Sequence, residues 1–218
     1  MNLTTIHEPP FEPVTLADVY RVLKIDAEGS PPEHPLDADF ARNITTARRN
    51  VEKLTRRSLI RQTLRLSVEG FPSNCVGWQL GPRWVRVPTT IRLPRPPVIS
   101  LQSVQYFDAD NALQTVDAAS YYVTDDEVPE VRFVSTFIAP TVYDRPDALR
   151  VTYVAGYLGA GSPPSSQDEY AEHVPSELKD AILVGVQMLQ TSTSPQDYEL
   201  LQRMQVALVS GYVVRLAL

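Results

Sequence analysis

A few residues of this sequence have types and spacings that could do chemistry: three histidines, one cysteine, an acidic triplet and a glycine-rich loop. His7, His34 and His173 stand alone, and no HxxxH or HExxH spacing joins two of them into a metal-binding pair. A histidine acting as acid or base needs a partner to orient it. His7 and His34 fall in proline-rich stretches that read as exposed surface. Cys75, in Ser73-Asn74-Cys75-Val76, has no base near it in the chain and reads as an inert thiol unless a distant histidine folds close. Asp125-Asp126-Glu127 offers carboxylates to a calcium ion without the spacing of an EF-hand loop, and reads as a solvated turn. Gly156-Tyr157-Leu158-Gly159-Ala160-Gly161 has glycines enough for a phosphate cradle. It lacks the GK[ST] ending and runs into Ser-Pro-Pro, so it reads as a hinge. Arg83, Arg86, Arg92 and Arg95 interleave with Trp78 and Trp84, a mixture used by single-strand nucleic-acid binders. The competing reading is an outward strand face with the tryptophans in or near the core. No catalytic, cofactor-binding or metal-ligating residue is assigned.

Composition narrows the class. A chain of 218 residues makes one large domain or two small ones and can bury a core without staples. One cysteine allows no disulfide framework and fits a reducing compartment. The first residues, MNLTTIHEPPFEP, carry neither a basic n-region nor an apolar run, so no signal peptide is expected. No apolar run approaches the roughly 20 residues of a membrane span. A soluble protein without a membrane partner is expected. Proline is frequent (19) and glycine scarce (9), which favours stiff, extended connections. The net charge of −6 is unevenly spread. Residues 1–39 carry −6, residues 40–103 carry +10, and residues 104–218 carry −10. Such polarity can steer a partner or set copies of the chain against one another. It does not resemble the net basic balance of a duplex-binding protein.

The element that would organise these charges is a long helix beginning near Asp39. Phe40, Ile44, Ala47, Val51 and Leu54 recur at helical spacing and make a seam about 80° wide. Arg42, Arg49, Lys53 and Arg56 project from the opposite side within about 60° of one another. That ridge is either a solvated face or a basic surface toward a neighbouring subunit or a DNA channel. Asp37 or Asp39 is expected to cap the helix start. Before it, Thr15 should cap a short helix to Ile25, with Leu16, Val19, Tyr20 and Leu23 on its apolar face.

From about Ile60 the period falls to two. Strands are expected at 62–68, 84–87, 90–93, 98–108, 112–116, 121–124, 131–137 and 148–155, with turns about every ten residues. That rhythm points to an antiparallel barrel or sandwich. Helical period returns after Val174-Pro175-Ser176, with Leu178, Ala181, Ile182, Gly185, Met188 and Leu189 on the buried side. Ser194-Pro195 opens a last helix, with Tyr198, Leu201, Met204 and Leu208 on one face, and an apolar tail follows from Val209. The expected fold class is α+β: a bundle of about four helices with an antiparallel β-domain inserted between the second and third. The expected divisions are 1–60, N-terminal helices; 61–157, β-rich insertion; and 158–218, C-terminal helices and tail.

Several pieces in this order resemble the head–tail connector (adaptor) proteins of long-tailed bacteriophages. They are the leading helix TLADVYRVLKID, and a second helix with Ile44, Ala47, Arg48, Val51, Glu52, Thr55 and Arg57-Ser58-Leu59-Ile60, followed by Gln62-Thr63. Next come the proline-led strand Arg95-Pro96-Pro97-Val98-Ile99-Ser100-Leu101-Gln102-Ser103-Val104 and the phrase Leu149-Arg150-Val151-Thr152-Tyr153-Val154-Ala155-Gly156-Tyr157. Val174-Pro175 with Leu178, Lys179, Ala181 and Ile182 closes the pattern. The likeness spans most of Val14 to Leu189. The ending departs from it: the family often finishes in a basic, loop-like tail, whereas this chain ends Gly211-Tyr212-Val213-Val214-Arg215-Leu216-Ala217-Leu218.

The resemblance implies a non-enzymatic virion protein that assembles in the host cytoplasm. Copies would form a ring, typically of twelve, below the portal protein. The ring would extend the DNA channel used in genome packaging and ejection, and would dock stopper or tail-completion proteins. Double-stranded DNA would pass without sequence-specific binding, which suits an acidic chain that does not neutralise many phosphates. The apolar tail, Tyr212, Val213, Val214, Arg215 and Leu216, is expected to bury either in the portal or back on its own helices. Competing expectations are a tail-associated or host-recognition binding module led by the β-section, and a metal-dependent enzyme acting on nucleic acid.

Overall fold

The structure, a computed structural model, describes residues 1–9, 11–26, 34–72, 78–80, 83–85, 90–157, 166–190 and 194–214. The chain is mixed α and β, and divides into two compact units. One comprises Met1–Glu8 and Gln62–Ala155; the other comprises Pro9–Arg61 and Gly156–Leu218.

The first unit is built of antiparallel strands. β1 (Asn2–His7), β2 (Gln62–Val68), β10 (Leu149–Ala155), β6 (Val98–Phe107) and β7 (Leu113–Thr115) form one sheet in that spatial order. β5 (Thr90–Arg92), β9 (Glu130–Phe133) and β8 (Tyr121–Val123) form a second, and β3 (Trp78–Leu80) pairs with β4 (Arg83–Val85). Alternation along β2 sends Leu64 and Leu66 inward, fully buried, while Thr63 and Arg65 stay on the other face. They share a core with Val104, Val151 and Tyr153 of the first sheet and Ile91 and Val131 of the second. The buried Tyr153 hydroxyl donates to the Pro94 carbonyl at 2.6 Å, so it enters the core with its hydrogen bond made.

β1 was not foreseen; the first residues were assigned to the helical section. Leu3 and Thr5 stand opposite Leu66 and Leu64. A six-residue strand has too little pattern to announce itself, and its partner lies some sixty residues along the chain.

The second unit is helical. α1 (Leu16–Leu23) starts with a reciprocal cap: the Thr15 hydroxyl accepts from the Asp18 amide and the Asp18 carboxylate accepts from the Thr15 amide. α2 (Asp37–Thr55) starts differently from expectation. Leu36 occupies the N-cap position with no side-chain cap, and Asp37 lies inside the first turn. The Asp37 carboxylate accepts instead from the Tyr20 hydroxyl and the His34 amide, which hold it below its ordinary pKa.

α4 (Ser176–Gln190) runs antiparallel to α2, the Asn43 amide donating to the Gln190 side chain at 2.8 Å. Gly185 lets the two backbones close: a Cβ there would lie 2.9 Å from the Ala47 Cβ. α5 (Pro195–Val209) is capped by Ser194, and a short α3 (Gln167–Glu172), not expected, precedes α4. The core gathers Val19, Phe40, Ile44, Ala47, Val51, Leu178, Ile182 and Val186. Gly156, at φ +140°, lies against the Ile60–Arg61 peptide where any Cβ would come within 2.5 Å of backbone.

Candidate assembly surfaces

On α2 the four basic residues of the ridge, Arg42, Arg49, Lys53 and Arg56, are all exposed. Arg42 pairs with Asp39 one turn earlier at 2.7 Å. Arg56 sits just past the last turn in the left-handed conformation that ends the helix. The expected seam needs one correction: Leu54, at its edge near the helix end, is 42% exposed.

The flank of α2 between the seam and the ridge holds what hydrophobic spacing could not reveal. Arg48 and Glu52 are almost fully buried. The Arg48 guanidinium reaches Glu12 at 2.6 Å and Glu52 at 3.0 Å, and the other Glu52 oxygen accepts from the Leu59 amide at 3.0 Å. Thr45 also donates to Glu12, at 2.9 Å. One cation thus ties the extended segment before α1, the body of α2 and the chain leaving it. Two charges a turn apart on a helix usually mean solvent. Only the resemblance drew attention to these two positions.

The C-terminal stretch folds onto its own helices. The Val214 amide donates to the Thr55 carbonyl at 3.0 Å, filling one of the acceptors left open at the end of α2. Arg57 donates to the Tyr212 carbonyl at 2.7 Å, and the Tyr212 hydroxyl donates to Glu177 at 3.0 Å. Burial, then the Glu177 carboxylate, push the Tyr212 phenol up. Val214 is buried and Val213 exposed, while Arg215 and Leu216 lie outside the described residues.

α5 also departs from expectation. Tyr198 and Met204, from the face that groups the apolar residues of this helix, are 49% and 46% exposed, whereas Gln205 is buried. The Gln205 amide donates to the Ala181 carbonyl at 2.9 Å beside Gly185, which makes a polar side chain acceptable there.

The candidate chemical residues are scattered. His7 ends β1, exposed, and His173 follows α3, exposed. His34 is half-buried rather than exposed: its ring packs against Phe40 at 5.7 Å and its Nδ1 accepts from the Leu36 amide. Asp125, Asp126 and Glu127 are exposed between β8 and β9. Arg92 is paired with Glu130 at 3.0 Å. Cys75, Arg86 and residues 158–161 of the glycine loop lie outside the described residues. Among the described residues, no group of three histidine, cysteine or carboxylate side chains could hold a metal, and no helix is long and apolar enough to cross a membrane.

One polar cluster of the β unit was missed. Asp147 takes two hydrogen bonds from Arg145 and one from Arg150, and both guanidiniums lie over the Phe107 ring, at 3.8 and 4.7 Å. The hydrogen bonds from Arg145 and then Arg150 lower the Asp147 pKa to about 2. Arg145 also donates to Asn111. The cluster clasps the 108–111 turn to the strand before it and the loop before β10, with one carboxylate shared by both cations.

These features define an α+β chain of a helical and an antiparallel β unit, with charged surfaces and no assembled reaction centre among the described residues. No protein-family model and no curated protein matches the sequence. The fold is similar to that of chains in a gene transfer agent (GTA) particle. A chain in the neck of the empty particle, computed with C6 symmetry, matches with TM-score 0.71 at 16% identity over 100% of this chain and 98% of that one. Chains in the virion of the native particle and in its neck computed with C12 symmetry match with TM-scores of 0.68 and 0.63, at the same identity and coverage. At this identity the likeness is one of fold.

Proposed function

We propose that this protein is a structural virion subunit of the head–tail adaptor type. Copies form a ring of twelve below the portal, extend the DNA channel and present the docking platform for stopper or tail-completion proteins. The carrying observation is the end-to-end fold match to chains in a particle neck, which leaves no large part of either chain without a counterpart. Neck structures computed with sixfold and twelvefold symmetry support a ring. Charges of both signs on the helical unit suit contact between copies. The basic ridge of α2 is assigned to the ring's own contacts or its channel, and the end of the chain beyond Val214 to the portal.

Electron microscopy of the protein mixed with its portal tests this reading. A twelvefold ring stacked coaxially on the portal is expected. A protein that never forms a closed ring, with or without the portal, overturns it.

A further inference from the structure

We propose that neighbouring copies meet head-to-tail through two specific faces of the helical unit. These are the basic ridge of α2 on one copy, centred on Lys53 and Arg56, and the acidic start of α4 on the next, centred on Asp180. This rests on the ring reading above and deepens it by naming the contact.

The first support is direction. α2 and α4 touch where Ala47 meets Gly185. At about 100° per residue, Arg49 and Lys53 point roughly 120–160° away from Ala47 on α2, and the exposed Arg56 follows just past the last turn. Asp180 points roughly 140° away from Gly185 on α4. The two charged faces therefore lie on opposite sides of one packed helix pair. A single copy cannot bring them together; a rotated second copy can.

Level is the second support. The helices are antiparallel, so the end of α2 and the start of α4 share one end of the bundle. The chain of contacts from Arg57 through Tyr212 to Glu177 confirms it. The proposed ring sets its axis parallel to the bundle; rotation about such an axis preserves height and brings Lys53 and Arg56 of one copy to the level of Asp180 of the next.

Charge is the third. Asp180 is joined by the exposed Glu177 and Glu172, the latter brought near because Lys179 donates to the Ala171 carbonyl at 3.4 Å. Two cations neighbour this patch, Lys179 in the chain and Arg57 through Tyr212. The first is turned to that carbonyl and the second to the Tyr212 carbonyl. Unlike faces on one molecule make a heterologous contact, and such contacts close into rings or run into filaments. A like-signed pairing of two ridges would repel.

The test uses full-length chains carrying Cys75→Ala. Lys53→Cys and Asp180→Cys are made separately, mixed and treated with a short bis-maleimide, a readout that captures even a weak contact. Heterodimers of the two variants should form on the order of tenfold faster than homodimers of either. The excess should vanish in about 1 M salt, where screening falls to about 3 Å. A charge-reversed pair gives the second arm. K53E/R56E alone and D180K/E172K alone should lose self-association. Their mixture should regain it, because each then offers the other a complementary face. Melting curves confirm that each variant is folded.

Equal homodimer and heterodimer rates, or K53E/R56E rings indistinguishable from wild type, overturn the proposal. Unaltered rings that have lost the ability to pass or retain DNA would put the ridge in the channel instead. Both outcomes leave the ring reading intact; that reading falls only if wild-type protein forms no ring on its portal.

Discussion

Arg48 shows why a charge inside a helical unit is not a surface charge misplaced. Its two carboxylate partners and the Leu59 amide leave the buried ions compensated on every side. Removing one partner exposes the cost of burying the other. Glu52→Ala should therefore destabilise the helical unit by about 3 kcal/mol, read as a shift in urea midpoint. Glu52→Gln should cost less, since its amide oxygen can still accept from Leu59. Asp147 makes a different prediction. Its carboxyl is lowered to about 2 by Arg145 and Arg150, so the folded state holds fewer protons than the unfolded state between that value and the ordinary carboxylate range. Its contribution is complete above about pH 4 and is lost as pH falls toward about 2. Partial exposure screens the pair, so about 1 kcal/mol is expected. Asp147→Asn should lower stability by that amount at neutral pH and flatten the acid limb of the β unit's stability profile over that window.

Among elements, the α2–α4 contact depends on what is absent at position 185. A glycine in mid-helix ordinarily costs about 1 kcal/mol relative to alanine, so Gly185→Ala should stabilise an isolated helix. Here the added methyl would meet the Ala47 Cβ at 2.9 Å and the Gln205 amide at 2.9 Å. The amide can move, but the alanine methyl, fixed to its backbone, cannot. The clash should win, with a net loss of about 1–2 kcal/mol for Gly185→Ala and more for Gly185→Leu, measured by thermal melting followed at 222 nm. The start of α1 offers a local contrast. Thr15→Ala breaks a reciprocal cap and should cost about 1 kcal/mol without altering core packing. Caps, turns and periodicity are local, and at this scale most elements were legible. β2 spans the residues expected of it, α5 is capped by the expected serine, and the Asp108 turn leads into a paired return strand. The faces of α5 were not legible. Tyr198 and Met204 look like core by type, yet the face turned inward is set by the Ala181 carbonyl and the small Gly185 on another helix.

For the whole molecule, the tail carries the sharpest consequence. Deleting Ser210 to Leu218 would remove a buried Val214, the hydrogen bond to Thr55 and both tethers of Tyr212. Burial of one valine and these bonds together should make the truncation cost about 2–3 kcal/mol of helical-unit stability. The effect on portal attachment is separable: Val213→Asp leaves the tethers in place and alters an exposed side chain. If the described part of the tail serves only its own unit, Val213→Asp should co-sediment with portal rings like wild type, while the deletion lowers both stability and attachment.

What the sequence determined by itself was most of what neighbours along the chain decide. The period of each segment, the proline and glycine breaks, the Thr15 and Ser194 caps and the segregation of charge all act over a few residues, so they can be read in order. The tertiary structure alone decided which residues meet across long separations. It joined Asn2–His7 to β2, buried Arg48 between Glu12 and Glu52, turned Gln205 inward instead of Met204, and folded Val214 back onto Thr55. Each of those outcomes depends on a distant partner that satisfies a polar group or fills a space, and no local pattern encodes where that partner will be.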